Sequence, residues 1–302
     1  MSGPPRLFDR ALHRRRLGRA ARRYGGFLKR RAAEDIVQRL ETIRREFPVA
    51  VDLGARDGAF ARALAQSDAA AKVGLLVETD LSAAMLAGRP GARLVVDEER
   101  LPFAPGRLDL VVSSLALHWT NDLIGALIQI RQALKPDGLF VGAILGGATL
   151  TELRSALTEA ELELRGGAGP RVSPFADAFD AAGLLQRAGF ALPVTDVDRV
   201  TVRYDHALAL MADLRAMGET SVLVEGAGRP LTRAIVARAA EIYAERFAAA
   251  DGRIPATFEI LALTGWSPHD SQQQPLRPGS AKMRLADALK TTERSAGEKA
   301  GD

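Results

Sequence analysis

Short apolar runs and amphipathic stretches alternate through the first half of the chain. Between residues 32 and 47 the apolar side chains recur at helical spacing, and this stripe leads into an apolar strand at Val49–Val51. Strands and helices then alternate as far as Leu145, which predicts a doubly wound, mostly parallel α/β sheet. The individual predictions are a helix over Ala59–Ala65, a strand over Val73–Val77 and a helix over Leu123–Leu134.

The second half of the chain is more helical, and its last strand is expected to close the sheet antiparallel to its neighbours. A flexible break at Gly166–Pro174 precedes a helix that stops at Gly189, and the two later helices are expected to form an insertion at about residues 205–250, joined by a Gly-rich loop. The predicted elements are helices over Thr151–Leu164 (capped by Thr149), Ala176–Ala188, His206–Met217 and Leu231–Ala248, and strands over Val194–Tyr204 and Phe258–Leu263.

Composition divides the chain into a basic helical segment at residues 1–46, an α/β domain at 47–266 and a polar tail at 267–302, predicted to hold one short helix and a disordered end. The first 31 residues contain 11 of the 41 basic side chains and one of the 37 acidic ones. We expect this basic segment to lie near a ligand cleft or to meet an acidic partner. Nucleic acid is disfavoured because no aromatic residues interleave with the basic ones, and a presequence because serine is missing after Ser2.

The bulk composition is that of an ordinary soluble globular protein, with 47% hydrophobic and 26% charged residues. The chain has no cysteine, which excludes disulfides and thiolate chemistry. It has four histidines and none in an H-x-D pattern, so no metal site is predicted. Arg- and Ala-rich usage without cysteine predicts a bacterial cytoplasmic protein, and the oligomeric state stays open.

The segment VDLGARDG, residues 51–58, is the most informative part of the chain. Asp52 ends the first apolar strand, Gly54 and Gly58 allow the backbone a tight turn, and a helix follows at once. A second strand ends near Asp80. Open α/β sheets bind nucleoside ligands at such an edge, where a helix N-terminus faces the carboxyl ends of the strands.

The spacing within the turn separates nucleoside ligands from one another. A dinucleotide-binding turn has the pattern G-x-G-x-x-G, whereas here the pattern is G-x-x-x-G and Arg56 stands where a middle glycine would be. The lysine of a triphosphate-binding loop is also missing. Neither a dinucleotide nor a nucleoside triphosphate is therefore favoured.

Three further segments follow in order: VVDEERLPF at 95–103, LDLVVSSLALHW at 108–119 and LKPDGLFVGAIL at 134–145. With the first turn and the acid after the second strand, they make the chain resemble class I S-adenosylmethionine-dependent methyltransferases. The resemblance implies a seven-stranded Rossmann-like sheet with a helical insertion and S-adenosylmethionine as the cofactor.

The same resemblance assigns roles to residues of the turn and strand ends. Asp80 would bind the ribose hydroxyls, Asp97 would face the adenine amino group, and Asp52 would orient the amino group of the ligand. Gly54 and Gly58 would bring the backbone beneath its amino acid end. The full set of expected cofactor-binding residues is Asp52, Gly54, Arg56, Gly58, Asp80, Leu81, Asp97, Glu98 and Ser113.

Two positions keep alternatives open. Arg56 could form a salt bridge with the methionyl carboxylate of the cofactor, or it could point to solvent. His118 and Trp119 stand on the lip after the fourth strand, beside the reacting group in the family, and are the candidate catalytic residues. His118 could act as a general base if the acceptor must lose a proton, or it could simply fill the lip.

Similarity outside the cofactor site narrows the substrate, because substrate choice is decided there. The segments HWTNDL, LKPDG and TLTELR are shared with malonyl-acyl carrier protein methyltransferases and with respiratory complex I assembly factors regarded as arginine hydroxylases. The second resemblance runs nearly from end to end, including LFDRALHRRR, RVSPFADAFDAAGLLQRAGF and IPATFEILALTGW. It implies a protein substrate, such as a complex I subunit, modified at an arginine. The alternatives are a methyltransferase acting on a malonyl-acyl carrier protein or small molecule, and a non-catalytic assembly chaperone that binds the cofactor.

Overall fold

The computed structural model describes residues 6–225, 230–273, 280 and 283–292. Its centre is a seven-stranded sheet in the order β3-β2-β1-β4-β5-β7-β6, parallel except where β7 pairs with β5 and β6. The strands are β1 Phe47–Leu53, β2 Val73–Asp80, β3 Ala92–Val95, β4 Leu108–Ser114, β5 Leu134–Leu145, β6 Ala191–Tyr204 and β7 Ile254–Trp266. This arrangement confirms the predicted fold class, including the antiparallel last strand.

Helices cover both faces of this sheet. They are α1 Arg10–Ala20, α2 Phe27–Thr42, α3 Ala59–Ala65, α4 Ala83–Leu86, α5 Leu123–Ala133, α6 Thr151–Arg165, α7 Ala178–Arg187, α8 Ala207–Ala216, α9 Arg233–Phe247 and α10 Leu285–Ala288. Short 3-10 helices lie at Ala21–Arg23, Asp68–Lys72 and Leu117–Trp119. The helices over Ala59–Ala65 and Leu123–Ala133 match their predicted starts.

Alternate side chains of the central strands bury themselves in two separate cores. In β4, Leu110 and Val112 join the core beneath α2, α3 and α6, whereas Val111 joins the core beneath α5 and α7. Successive residues of a strand point to opposite faces. A strand buried on both faces is therefore apolar throughout, which is why the central strands could be predicted from continuous apolar runs in the sequence.

The LKPDG segment is part of β5 and forms an irregularity there. Leu108 pairs with Leu134 and Leu110 with Leu139, so β5 has extra residues opposite Asp109. Asp137 within this irregularity has a left-handed backbone, with φ of 63°. The extra residues bulge without ending the ladder.

One predicted helix cap is wrong. Leu150, with φ of 55°, is the residue that precedes α6, and it makes no side-chain cap. Thr149 is instead buried against β7, where its hydroxyl donates to the carbonyl of Glu259 and accepts from the amide of Glu259. Tertiary pairing has taken the hydroxyl that a helix end would otherwise use.

The chain divides into two units, Met1–Pro268 and His269–Asp302. The basic segment belongs to the first unit, and the boundaries at residues 46 and 266 stay predictions. Residues 226–229 of the Gly-rich loop and the predicted disordered end of the tail lie outside the described residues. Among the described helices, none combines the length and apolar character that crossing a bilayer requires.

Candidate functional site

The turn after β1 brings the backbone close to β4. Gly54 has φ of 79°, and a Cβ atom at this position would lie 2.3 Å from the Cβ atom of Ala116. Gly58, with φ of 78°, precedes α3, and a Cβ atom there would overlap the guanidinium of Arg89. Glycine suits both positions because each has a left-handed backbone, and at Gly54 the Cβ atom of Ala116 also leaves no room for a side chain.

A buried ammonium group joins this turn to the end of β4. Lys29 of α2 donates from Nζ to the carbonyl of Gly54 at 2.7 Å, to the carbonyl of Ser114 at 2.5 Å and to Oγ of Ser114 at 2.8 Å. Burial lowers the pKa of Lys29 to about 8, although the nearby charge of Asp52 opposes the shift. The three bonds fix the turn against the sheet edge, where a ligand would lie.

Asp52 is the fully buried acid at the end of β1. Neither of its carboxylate oxygens has a hydrogen-bond partner among the described residues. Burial raises the pKa of this carboxyl to about 6, and the charge of Lys29 only partly offsets the effect. Buried polar groups normally have partners, so this carboxylate is suited to a cationic ligand group.

Arg56 does not point to solvent. Its side chain is fully buried, its backbone φ is 51°, and both its amide and Nη1 donate to Oδ2 of Asp80, at 3.0 and 2.8 Å. Nη1 also lies 3.9 Å from Oε1 of Glu98, while Nε and Nη2 have no partner among the described residues. Burial alone would lower the pKa of Arg56, but Asp80 and Glu98 raise it, so the guanidinium is charged.

A second arginine pairs with the acids after β3. Arg10 of α1 donates from Nη2 to Oδ1 of Asp97 at 2.6 Å and to Glu98, and from Nη1 to the carbonyl of Trp119 at 3.2 Å. Glu98 is the buried acid of the two, whereas Asp97 is partly exposed. The acids expected to bind ribose and adenine are thus each paired with a guanidinium of the chain itself.

Two other expected cofactor residues have structural partners. Leu81 is buried in a cluster with Leu17 and Met85, which joins α1 to α4. Ser113 donates its hydroxyl to the carbonyl of Leu53 at 2.9 Å. These contacts account for both side chains, and their cofactor roles stay predictions.

The lip after β4 is closed by a carboxylate that sequence reasoning missed. Glu219 accepts at Oε2 from the indole Nε1 of Trp119 at 2.8 Å, and Nε2 of His118 lies 3.1 Å from the same oxygen. Phe8 packs edge-on against Trp119, with ring centroids 5.3 Å apart. Helix α1 and its preceding residues therefore form one wall of the lip.

A cavity of about 760 Å³ opens beside this lip. Trp119 and Glu219 lie in its wall, and most of the remaining lining is apolar, including Leu153, Phe175 and Met211. Its volume lies within the range of small-ligand sites. We call it the apolar cavity.

The residues that sequence reasoning missed lie far from the turn in the chain. Arg10 and Lys29 stand in helices before β1, and Glu219 follows α8. A cluster of basic residues near the N-terminus was visible, but nothing in its spacing singled out these two. Glu219 had no signal, because an isolated glutamate after a helix is commonplace.

The buried groups fit S-adenosylmethionine in kind. The ligand has an ammonium group, which suits the unpartnered carboxylate of Asp52, and ribose and adenine donors, which suit Asp80 and Glu98. Gly54 leaves the backbone free to approach the ligand. Oδ2 of Asp80 already accepts from the amide and the guanidinium of Arg56, so a diol that bonds to both carboxylate oxygens would displace the guanidinium.

Comparison with known proteins identifies the family. A methyltransferase-domain model matches residues 51–142. The zebrafish (Danio rerio) mitochondrial arginine-hydroxylase NDUFAF5 is 41% identical over 94% of this chain and 90% of its own. A malonyl-[acyl-carrier protein] O-methyltransferase of a Methylovorus species is 32% identical over 89% of this chain and 92% of its own. The YcgJ protein of Bacillus subtilis shares the fold, with a TM-score of 0.52 over 78% of this chain and 98% of its own at 14% identity.

The predicted bacterial cytoplasmic location is contradicted by the similarity to NDUFAF5. NDUFAF5 of zebrafish is a mitochondrial protein, and it is similar to this chain over nearly its whole length. Arginine-rich, cysteine-free composition is compatible with either compartment, so it could not decide between them.

The family match confirms the predicted class I fold and, at the level of the family, S-adenosylmethionine as its cofactor. Similarity extends well beyond the cofactor turn, because the zebrafish and Methylovorus relatives are each covered over about nine-tenths of their length. Identity is higher to the arginine-hydroxylase than to the O-methyltransferase. The chain belongs to the methyltransferase-domain family that includes the NDUFAF5 arginine-hydroxylases and the malonyl-[acyl-carrier protein] O-methyltransferases.

Proposed function

We propose that this protein is an S-adenosylmethionine-dependent enzyme that modifies an arginine side chain of a protein during assembly of respiratory complex I. The proposal is supported by 41% identity to an arginine-hydroxylase over nearly the whole of both chains. Because this similarity includes the helices that line the apolar cavity, it bears on the substrate as well as on the cofactor.

Bound S-adenosylmethionine supplies an activated methyl group on a sulfonium. Asp52 would hold its ammonium group and Asp80 its ribose hydroxyls. Glu98, which is more buried than the predicted Asp97, would face its adenine. Lys29 keeps the turn in place beneath the ligand. Positioning of this kind can supply much of the rate of a displacement reaction.

The carboxylate of Glu219 is the observation that carries the substrate assignment. It lies in the wall of the apolar cavity, beside the lip, and Trp119 and His118 orient it through Oε2. The other oxygen, Oε1, can accept a charge-assisted hydrogen bond from a guanidinium. An arginine side chain that entered the cavity would have its methylene stem among apolar residues and its charge against Glu219.

The test is functional replacement in zebrafish cells that lack NDUFAF5. We expect the chain, delivered with a mitochondrial targeting sequence, to restore complex I, and Glu219→Gln to lose at least tenfold of the arginine modification measured by mass spectrometry. The mass added to the arginine separates one methyl group from one oxygen atom. Glu225→Gln is the matched control, because this exposed glutamate lies outside the cavity lining.

The same experiment separates the alternatives. Rescue of a bacterial biotin auxotroph that lacks malonyl-[acyl-carrier protein] O-methyltransferase, without rescue of complex I, would favour the acyl-carrier reaction. Full rescue of complex I by variants that bind the cofactor but leave every arginine unmodified would favour the chaperone.

Affinity for S-adenosylmethionine is expected to fall with pH because of Asp52. The folded carboxyl has a pKa of about 6, so it is ionised at pH 7 and largely neutral at about pH 5, where it no longer attracts an ammonium group. Calorimetric titration should show affinity about tenfold weaker at the lower pH. Asp52→Asn should bind weakly at both values, and a wild-type affinity that does not change with pH would exclude the assigned role.

A further inference from the structure

A cleft of about 530 Å³ between α1 and α8 is lined by four arginines. Arg16 and Arg19 come from α1, Arg23 from the turn that follows it, and Arg215 from α8. Small side chains, alanines of both helices and Thr220, lie between them, and the lining contains no carboxylate. We call this the basic cleft.

These four arginines share one cleft and have no acidic partner in its lining. No ion pair joins any of the four to a carboxylate among the described residues, and Arg16 is held only by a bond to the carbonyl of Ser221. Elsewhere exposed arginines commonly have acidic partners, as in Arg31–Asp198, Arg39–Asp196, Arg238–Glu163 and Arg246–Glu159. The basic cleft is therefore a local excess of positive charge, which the charge of Asp9 offsets only in part at Arg16.

The positive charges of the cleft lower the pKa of one of its own arginines. Burial lowers the pKa of Arg16, and the neighbouring charges of Arg19 and Arg215 lower it further. Like charges held together at a protein surface create a potential that attracts anions. An external anion would relieve the repulsion that the fold leaves in place.

The shape of the cleft suits an extended chain better than a single small anion. Seven residues separate Arg16 from Arg23, which is about 10 Å along a helix and about three residues of extended peptide. The cleft also shares Arg16, Arg215 and Thr220 with the apolar cavity, whose wall contains Trp119 and Glu219. A segment in the cleft could thus place a neighbouring side chain in the cavity.

We propose that the basic cleft binds an acidic segment of the protein substrate and thereby directs an adjacent arginine into the apolar cavity. Acidic residues beside the target would neutralise Arg16 and Arg215, which would otherwise repel an incoming arginine. This inference rests on the proposed function for the identity of the target residue. That the partner is acidic follows from the positively charged lining alone and does not depend on the proposed function.

A protein segment fits the cleft better than nucleic acid does. Single-stranded nucleic acid is bound by basic grooves in which bases stack on aromatic rings. The cleft lining consists of arginine, alanine and threonine. The experiment therefore includes a nucleic acid, so that preferential binding of nucleic acid would be detected.

The test measures binding of fluorescein-labelled twelve-residue peptides to the full chain by fluorescence anisotropy. One peptide has a central arginine flanked on both sides by glutamate and aspartate, and its analogue has glutamine and asparagine instead. We expect the acidic peptide to bind at least tenfold more tightly, with an affinity that falls as salt is added. A single-stranded RNA of twelve nucleotides should bind more weakly than the acidic peptide.

Charge reversal locates the site. Arg19→Glu with Arg215→Glu should weaken the acidic peptide at least tenfold, or about 1.4 kcal/mol. Arg14→Glu with Arg15→Glu is the matched control, since these exposed residues of α1 change the net charge equally but lie outside the cleft lining. The control pair should change the affinity less than threefold. Circular dichroism and calorimetry with S-adenosylmethionine check that all variants keep the fold.

Three results would overturn the proposal: no preference for the acidic peptide, equal weakening by both pairs of substitutions, or tighter binding of the RNA. Failure of the proposed function is separate. Acidic-peptide binding without rescue of complex I would remove the function and keep the cleft, whereas rescue without cleft-dependent binding would remove only the cleft.

Discussion

Asp80→Ala is expected to lower the free energy of unfolding by about 3–5 kcal/mol, the range found when one partner of a buried ion pair is removed. Arg56 and Asp80 are both fully buried, and their bond is 2.8 Å long. Without Asp80 the guanidinium stays charged in the interior, with only the more distant Glu98 nearby. Urea unfolding followed by circular dichroism measures the loss.

The control for this prediction is a surface pair of the same two residue types. Asp198→Ala removes the partner of Arg31, where both side chains are about half exposed, and should cost less than about 1 kcal/mol. The double variant Arg56→Gly with Asp80→Ala should recover most of the stability, since it removes the unpaired charge. A loss no larger for Asp80→Ala than for Asp198→Ala would refute the buried pair. Because Asp80→Ala is expected to destabilise the fold, loss of cofactor binding in that variant does not by itself show that Asp80 contacts the cofactor.

Arg56→Gly is expected to raise the affinity for S-adenosylmethionine at least tenfold, or about 1.4 kcal/mol. The guanidinium donates to Oδ2 of Asp80, so a ribose diol that bonds to both carboxylate oxygens must first separate a buried pair. Glycine removes that competitor and also relieves a left-handed backbone that costs other residues about 1 kcal/mol. Asp80 would keep the amides of residues 56 and 82 as donors, so the turn should persist.

Calorimetric titration with S-adenosylmethionine measures the affinity, and Arg62→Ala is the control. This exposed arginine of α3 lies near the same turn and pairs with Asp57. The control should bind like the wild type. Weaker binding by Arg56→Gly would instead assign Arg56 to the methionyl carboxylate, through the unpartnered Nε and Nη2. Unchanged affinity would exclude both roles.

The frame of the fold was predictable because it depends on local patterns. Apolar strands that alternate with helices, each strand ending in an acid or a turn, predicted a mostly parallel sheet. Gly58 predicted the start of α3. The Thr149 cap failed because the hydroxyl bonds to Glu259, more than a hundred residues away in the chain. Spacing within a segment carries no information about a partner of that kind.

Sequence alone determined the α/β class, the glycines of the turn and the acids at the strand ends, since each reflects the local geometry of a strand followed by a helix. The tertiary structure decided which charges meet. Arg10, Lys29 and Glu219 reach the site from distant helices and loops, and Arg56 turns inward onto Asp80. Charge pairing depends on separation in space and on burial, which the fold sets and residue spacing along the chain does not.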